Sequence, residues 1–245
     1  MSTPLPPRTP RTRAPIERIG LTVLREIVES IVVGDYPPET PMPTEAVLSD
    51  QFGVSRTVVR ESMKRLQEKG MVTVAQGRGT SVNPRTSWNM LDPLVIEALV
   101  QNDETLKVLD DLSATRAALE AEMASAASRS RDDDGLRALR EALAAMTESI
   151  ADSTAFREAD VRFHHTVMAM SGNALAENIA RVLVAHAIGS DRFTGHDPAH
   201  SFELTLGEHE RITAAIAAGE PDTARSAMRD HIVGSWERRR DPNNT

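Results

Sequence analysis

The chain has 245 residues, 40% of them hydrophobic and 26% charged, with a formal net charge of −8. That length buries a sizeable core, in one large domain or two smaller ones. Without cysteine there can be no disulfide, thiolate metal site or cysteine nucleophile, and no apolar run approaches the ~20 residues that span a membrane.

The charge is unevenly placed. Residues 1–86 hold 12 Lys/Arg against 9 Asp/Glu, a net +3, while residues 87–245 hold 16 against 27, a net −11. Association with DNA follows the local field more than the total, so the split predicts two domains with different partners. Residues 1–15 carry Arg8, Arg11 and Arg13 among five prolines and lack the apolar core of a signal peptide. They read as a disordered tail that can touch DNA weakly, and the expected location is cytoplasmic.

Next, "IERIGLTVLREIVESIVVG" has apolar residues at 16, 19, 23, 24, 27, 28 and 31, a helical period ended by Gly34. "DYPPETPMP" cannot continue a helix. "TEAVLSDQFG" reads as a short helix capped by Thr44 and stopped by Gly53. "VSRTVVRESMKRLQEKG" reads as a second, capped by Ser55, with Val54, Val58, Met63 and Leu66 as its buried stripe. Arg56, Arg60 and Lys64 fall at i, i+4 and i+8 on another face, beside Thr57. "MVTVAQGRGTSVN" then gives two β-prone runs around a tight turn.

Two helices, a tight turn and a hairpin make a winged helix-turn-helix over residues 16–82. The basic face suits a recognition helix, since arginine both forks onto guanine and contacts phosphate. A solvated basic face on a structural helix is the plainer alternative. Gly77-Arg78-Gly79 is a poor phosphate-cradling loop, because it joins two strands rather than a strand and a helix.

"PTEAVLSDQFGVSRTVVRESMKRLQEKGMV…GRGTSV" resembles the DNA-binding domain of GntR-family bacterial transcription regulators. The resemblance implies double-stranded operator DNA as partner. It implies contacts from Ser55, Arg56, Thr57 and Arg60, and wing contacts from Gly77 and Arg78. Many relatives carry an arginine just after the glutamate of the first short helix; Ala46 stands there, so the operator is expected to differ.

After a linker, "NPRTSWNMLDP" (83–93), the pattern changes to Ala-, Leu- and Glu-rich helical segments. They run roughly over 94–101, 105–130, 134–151, 154–171, 174–190, 202–218 and 221–239. The expected fold is mainly α: the winged helix-turn-helix, then an all-α bundle of six or seven helices over 94–240 and a short tail at 241–245.

Asp160 and His164 are i and i+4 on one helix and share a face, whereas His165 lies about 100° around the axis. His209 and His231 sit near apolar positions of the last two helices. Three inward imidazoles and a carboxylate suit Zn²⁺, Ni²⁺ or Mn²⁺. From spacing alone the plainer reading stays open: three unrelated histidines, each satisfied by a carbonyl or water. His186, His196 and His200 match no motif, with His196 and His200 expected to be exposed, and "ERRR" (237–240) reads as cations favouring the helix dipole.

"EADVRFHHTVMAMSGNALAENI", "EHERITAAI" and "MRDHI" resemble the FCD effector-binding domain of the FadR-type GntR subfamily. That resemblance implies a divalent metal, Zn²⁺ first, on Asp160, His164, His209 and His231. It also implies Arg116 as the grip on an effector carboxylate, with a surface ion pair to Glu120 as the plainer reading. "PRTSWNMLDP" is similar to the linker of galactonate-responsive repressors, which points to an aldonate such as galactonate. The resulting expectation is a homodimeric repressor, not an enzyme, controlled by a small organic acid. A metal-responsive regulator and a metal-dependent hydrolase or lyase with an attached DNA module are the alternatives.

Overall fold

The computed structural model describes residues 16–75, 77, 79–188 and 200–240. The expected disordered tails, the placement of Arg78 and the exposure of His196 lie outside the described residues, as does the side chain of His186. The chain forms two compact units divided between Ala98 and Leu99.

The first unit contains α1 (Ile16–Val33), α2 (Glu45–Phe52), α3 (Arg56–Glu68), β1 (Val72–Ala75) and β2 (Gly79–Val82). A short 3₁₀ turn (Arg85–Ser87) follows, then α4 (Pro93–Gln101), a helix that periodicity assigns wholly to the second domain and within which the division falls. Val23, Leu24, Ile27, Val28 and Ile31 of α1 pack into the core, but Ile19 is exposed. Thr44 caps α2 by accepting from Val47 N, and Gly53 ends it at φ +63°, a left-handed conformation that glycine adopts without strain. Ser55 caps α3 in the same way, accepting from Val58 N.

The buried stripe of α3 differs from the expected one. Val59, Ser62, Met63 and Leu66 are buried, while Val58 is only partly covered. The face that packs inward runs i, i+3, i+4, i+7 from Val59, and Val54 lies before the Ser55 cap, outside the helix. The hairpin pairs Val72 with Val82 and Ala75 with Gly79. The proline-rich stretch is more than a loop, for it lies along the other edge of β2. There Met42 N donates to Thr80 O at 2.8 Å and Val82 N to Thr40 O at 3.0 Å, and Pro41 bridges Ser81. Proline tolerates such an edge position because no donor is demanded of it there.

The linker is bound along its length to the end of α3. Asn83 donates through N to Met71 O and through Nδ2 to Gly70 O, both at 2.8 Å. Trp88, buried, donates to Asn83 O at 3.0 Å, and Asn89 N donates to Lys69 O at 2.9 Å. Asp92 finishes the strap: Oδ2 pairs with Lys69 Nζ at 2.5 Å, and Oδ1 accepts from Leu94 N and caps α4.

In the second unit α5 (Lys107–Ser130) packs against α7 (Ser153–Met170), α8 (Ala174–Ile188), α9 (Ser201–Ala218) and α10 (Pro221–Arg240). Helix α6 (Asp133–Glu148) packs on α7 and α9. It begins at the Asp132 cap and stops at Ser149, short of the expected 151. Helix α5 brings Ala117, Ala121, Ala124 and Ala127 to the core, small residues that let neighbouring helices approach closely. Phe156 and Phe163 are the largest fully buried side chains among the described residues, with Phe156 stacked on Phe202 at 4.6 Å between ring centroids. Among the described residues, no helix is long and apolar enough to cross a membrane.

Gly70 tests the strap. It sits at φ +70°, and a Cβ there would stand 2.2 Å from Ser87 O. Gly70→Ala is expected to destabilise the first unit by roughly 3 kcal/mol or more, read as a lowered melting transition. An unchanged transition would show that the linker is not held against α3.

Candidate metal centre and nucleic-acid interface

Helix α7 carries Asp160 and His164, α9 carries His209, and α10 carries His231. Their ligand atoms all lie within 4.8 Å of one another, and the three histidines are buried. His209 Nε2 stands 3.2 Å from Asp160 Oδ1, and His164 Nε2 stands 3.2 Å from His231 Nε2. Ligands around an ion at 2.0–2.1 Å stand roughly 3.0–3.4 Å apart, so this spacing fits a shared cation.

The outer ring nitrogens fix what the inner ones can do. His164 Nδ1 meets Glu120 Oε2 at 2.5 Å, His209 Nδ1 meets Thr205 O at 2.7 Å, and His231 Nδ1 meets Glu208 Oε2 at 2.8 Å. A carbonyl and two carboxylates only accept, so each Nδ1 must carry the proton and donate. Three Nε2 lone pairs therefore converge beside Asp160. Asp160 Oδ1 and His209 Nε2 are buried and make no hydrogen bond. Such atoms are rare in a finished core, and a divalent ion would satisfy both.

Electrostatics agree. Burial is the largest influence on Asp160 and would raise its pKa, but the imidazoles around it reverse this and hold the carboxyl well below its usual range. Burial, and then the proximity of His209, push His231 down to about 3, leaving it neutral as a ligand must be. Glu120 is likewise opposed by burial, yet Arg116 and His164 bring it to about 2. Arg116 Nε donates to Glu120 Oε1 at 2.8 Å, and the pair is buried rather than on the surface.

A cavity of about 20 Å³ adjoins the centre, lined in part by Ser113, Arg116, Ser235 and Arg239. It has room for a water or an ion and is far too small for a sugar acid. Ser235 and Arg239 were legible in principle, at i+4 and i+8 from His231. Reading "ERRR" as helix-dipole cations alone missed Arg239, and Ser235 lies just before that run. In fact Arg238 forks onto Glu208, Arg239 lines the cavity and Arg240 pairs with Asp110. His165 is partly buried and lines a separate groove with Arg162 and Arg181. His200 is exposed.

On the first unit, Arg56, Thr57 and Arg60 stand exposed on α3 behind the Ser55 cap, and Gly77 is exposed at the hairpin tip. Arg60 donates to Glu45 through Nε at 3.1 Å and Nη2 at 2.8 Å, which holds its guanidinium across α2 and α3. Ala46, beside Glu45, is only partly exposed.

A family model described as "Bacterial regulatory proteins, gntR family" matches residues 20–82, and the "FCD domain" model matches residues 111–234. The galactonate operon transcriptional repressor of Escherichia coli (strain K12) is 29% identical over 224 residues, 91% of this chain and 95% of that protein. The HTH-type transcriptional regulator LutR of Bacillus subtilis (strain 168) is 28% identical, over 82% and 91% of the two chains. A solved structure of Lar, which controls expression of the Listeria monocytogenes agr system, covers 94% of this chain and 99% of its own. Its TM-score is 0.61 at 18% identity, a likeness of fold alone.

The centre makes a direct prediction. His209→Ala and His231→Ala should each lower zinc affinity at least ~100-fold, while His165→Ala leaves it unchanged, measured by competition with a chromophoric chelator. An equal loss in His165→Ala would count against the assigned ligands.

Proposed function

The chain belongs to the gntR family of bacterial regulatory proteins, in the group that carries an FCD domain, and is a transcriptional regulator rather than an enzyme; from that premise we propose a cytoplasmic, homodimeric repressor. Its hold on operator DNA is set by a small organic acid bound beside a divalent metal in the helical domain. The observation that carries this reading is the convergence of three Nε2 lone pairs and Asp160 next to a cavity lined by Arg116 and Arg239.

The roles follow from that geometry. Asp160, His164, His209 and His231 would hold the ion, Zn²⁺ by ligand type, with Ni²⁺ or Mn²⁺ also accommodated. The ion would supply Lewis-acid binding of a carboxylate and its α-hydroxyl. Arg116 donates to the free carboxylate oxygen, and the Ser113 and Ser235 hydroxyls suit a polyhydroxy chain rather than an alkyl one. An aldonate such as galactonate matches this chemistry, and the galactonate operon repressor among the relatives supports it.

Because the cavity is closed to such a molecule, entry has to displace side chains that line it. An effector that binds only the opened form shifts the population toward that form, and this is the differential affinity regulation requires. On the DNA side, Arg56, Thr57 and Arg60 reach base edges and phosphates, with Ser55 at the helix start and Gly77 and Arg78 at the wing.

The closed cavity also favours a second reading, in which the metal alone is the signal. DNA affinity that changes with zinc in the absence of any acid would select it.

Two measurements test the main reading. A thermal-shift screen of small carboxylates and aldonates, with and without zinc, should show one acid class that stabilises the protein only with metal. Against a duplex selected from a randomised library, Arg56→Ala should lose about 10–100-fold in affinity. His209→Ala should bind it normally and ignore the acid. Full binding by Arg56→Ala would sink α3 as the recognition helix.

A further inference from the structure

His231 is held differently from the other two imidazoles. The partner of His209 is the Thr205 carbonyl of its own helix, and Glu120 behind His164 is neutralised by Arg116 from within α5. Behind His231 stands Glu208, on α9, and its neutralising arginine comes from the last turn of α10. Arg238 Nη1 donates to Glu208 Oε1 and Nη2 to Oε2, both at 2.9 Å, in a two-pronged fork. Both side chains are largely buried, Glu208 at 12% exposure and Arg238 at 18%.

The last turn of a helix lacks onward hydrogen-bond partners for its carbonyls and is where helices fray. Here that turn also carries Arg239, which lines the cavity and donates to Ser235 O at 3.0 Å. One carboxylate thus joins a metal-ligating imidazole to the segment that walls the cavity.

We propose that Glu208 and Arg238 form a latch between the metal centre and the last turn of α10. On one side the latch positions His231, fixing its tautomer and ring direction. On the other it pins the turn that sets Arg239 against the cavity. Metal occupancy and order in this turn are therefore linked, and each favours the other. The proposal rests on the metal reading above and adds a route by which the metal shapes the effector cavity.

The test uses the full chain with zinc as probe, in the wild type, Glu208→Gln and Arg238→Met. Zinc affinity is read by chelator competition, the ligand field by cobalt absorption, and order in residues 236–240 by amide hydrogen exchange. In the wild type, zinc should slow exchange of the last turn. Glu208→Gln should bind zinc about 10–100-fold more weakly, with an altered cobalt spectrum. Arg238→Met leaves the Glu208–His231 contact in place, so it should bind zinc with a smaller loss but show no zinc-dependent protection. Protection of the turn by zinc in Arg238→Met as strong as in the wild type overturns the latch. So does an unchanged zinc affinity in a folded Glu208→Gln. If the wild type itself binds no zinc, the metal centre fails and the latch with it, an outcome distinct from both.

Discussion

Four donor atoms that face one another in a buried site repel, and the helices that carry them hold them there against that repulsion. With each Nδ1 tied to an acceptor, the imidazoles of His164, His209 and His231 cannot turn their lone pairs away. The close Nε2–Nε2 approach of His164 and His231 is then unfavourable unless a cation lies between the lone pairs. The neighbourhood is built to keep the rings there: Phe163 packs edge-on against His209 at 4.3 Å, and α5 presents small side chains to its neighbours.

Buried charge follows the same logic. Glu120 and Glu208 would each be costly to ionise in the interior, and each has an arginine that makes ionisation favourable. The carboxylates can then stay charged and pull on the imidazole protons they accept. Some of the acidic side chains of residues 87–245 are thus turned inward, each neutralised by an arginine within the same unit.

Helical periodicity made the second unit legible almost element by element, because its segments are long and their stops are explicit, as at Gly219 before Pro221. The ligand set was legible in a weaker sense. Asp160 and His164 share a face by spacing, but His209 and His231 lie on other helices and needed the family resemblance to be joined to them. What spacing could not show was the outer layer. Glu208 and Thr205 reveal their roles only once α9 and α10 are packed, and Arg116 looks the same in a buried pair as in an exposed one. In the first unit the stripe of α3 differs because a valine at 58 and a valine at 59 are equivalent until packing decides which face of the helix turns inward. The contact of Arg60 with Glu45 was hidden for the same reason as the outer layer, being a contact between two helices.

The strap between the end of α3 and Asp92 bears on where this chain can be cut and rejoined. A stretch with proline, asparagine and serine reads as a tether, the place where modules are cut and rejoined. Here Asn83, Asn89 and Asp92 belong physically to the DNA-binding unit, because their partners are Gly70, Met71 and Lys69. A recombinant joined at Val82 would leave those partners facing a foreign segment, whereas one joined after Asp92 would carry them along intact. The DNA-binding unit thus extends at least ten residues beyond its last strand.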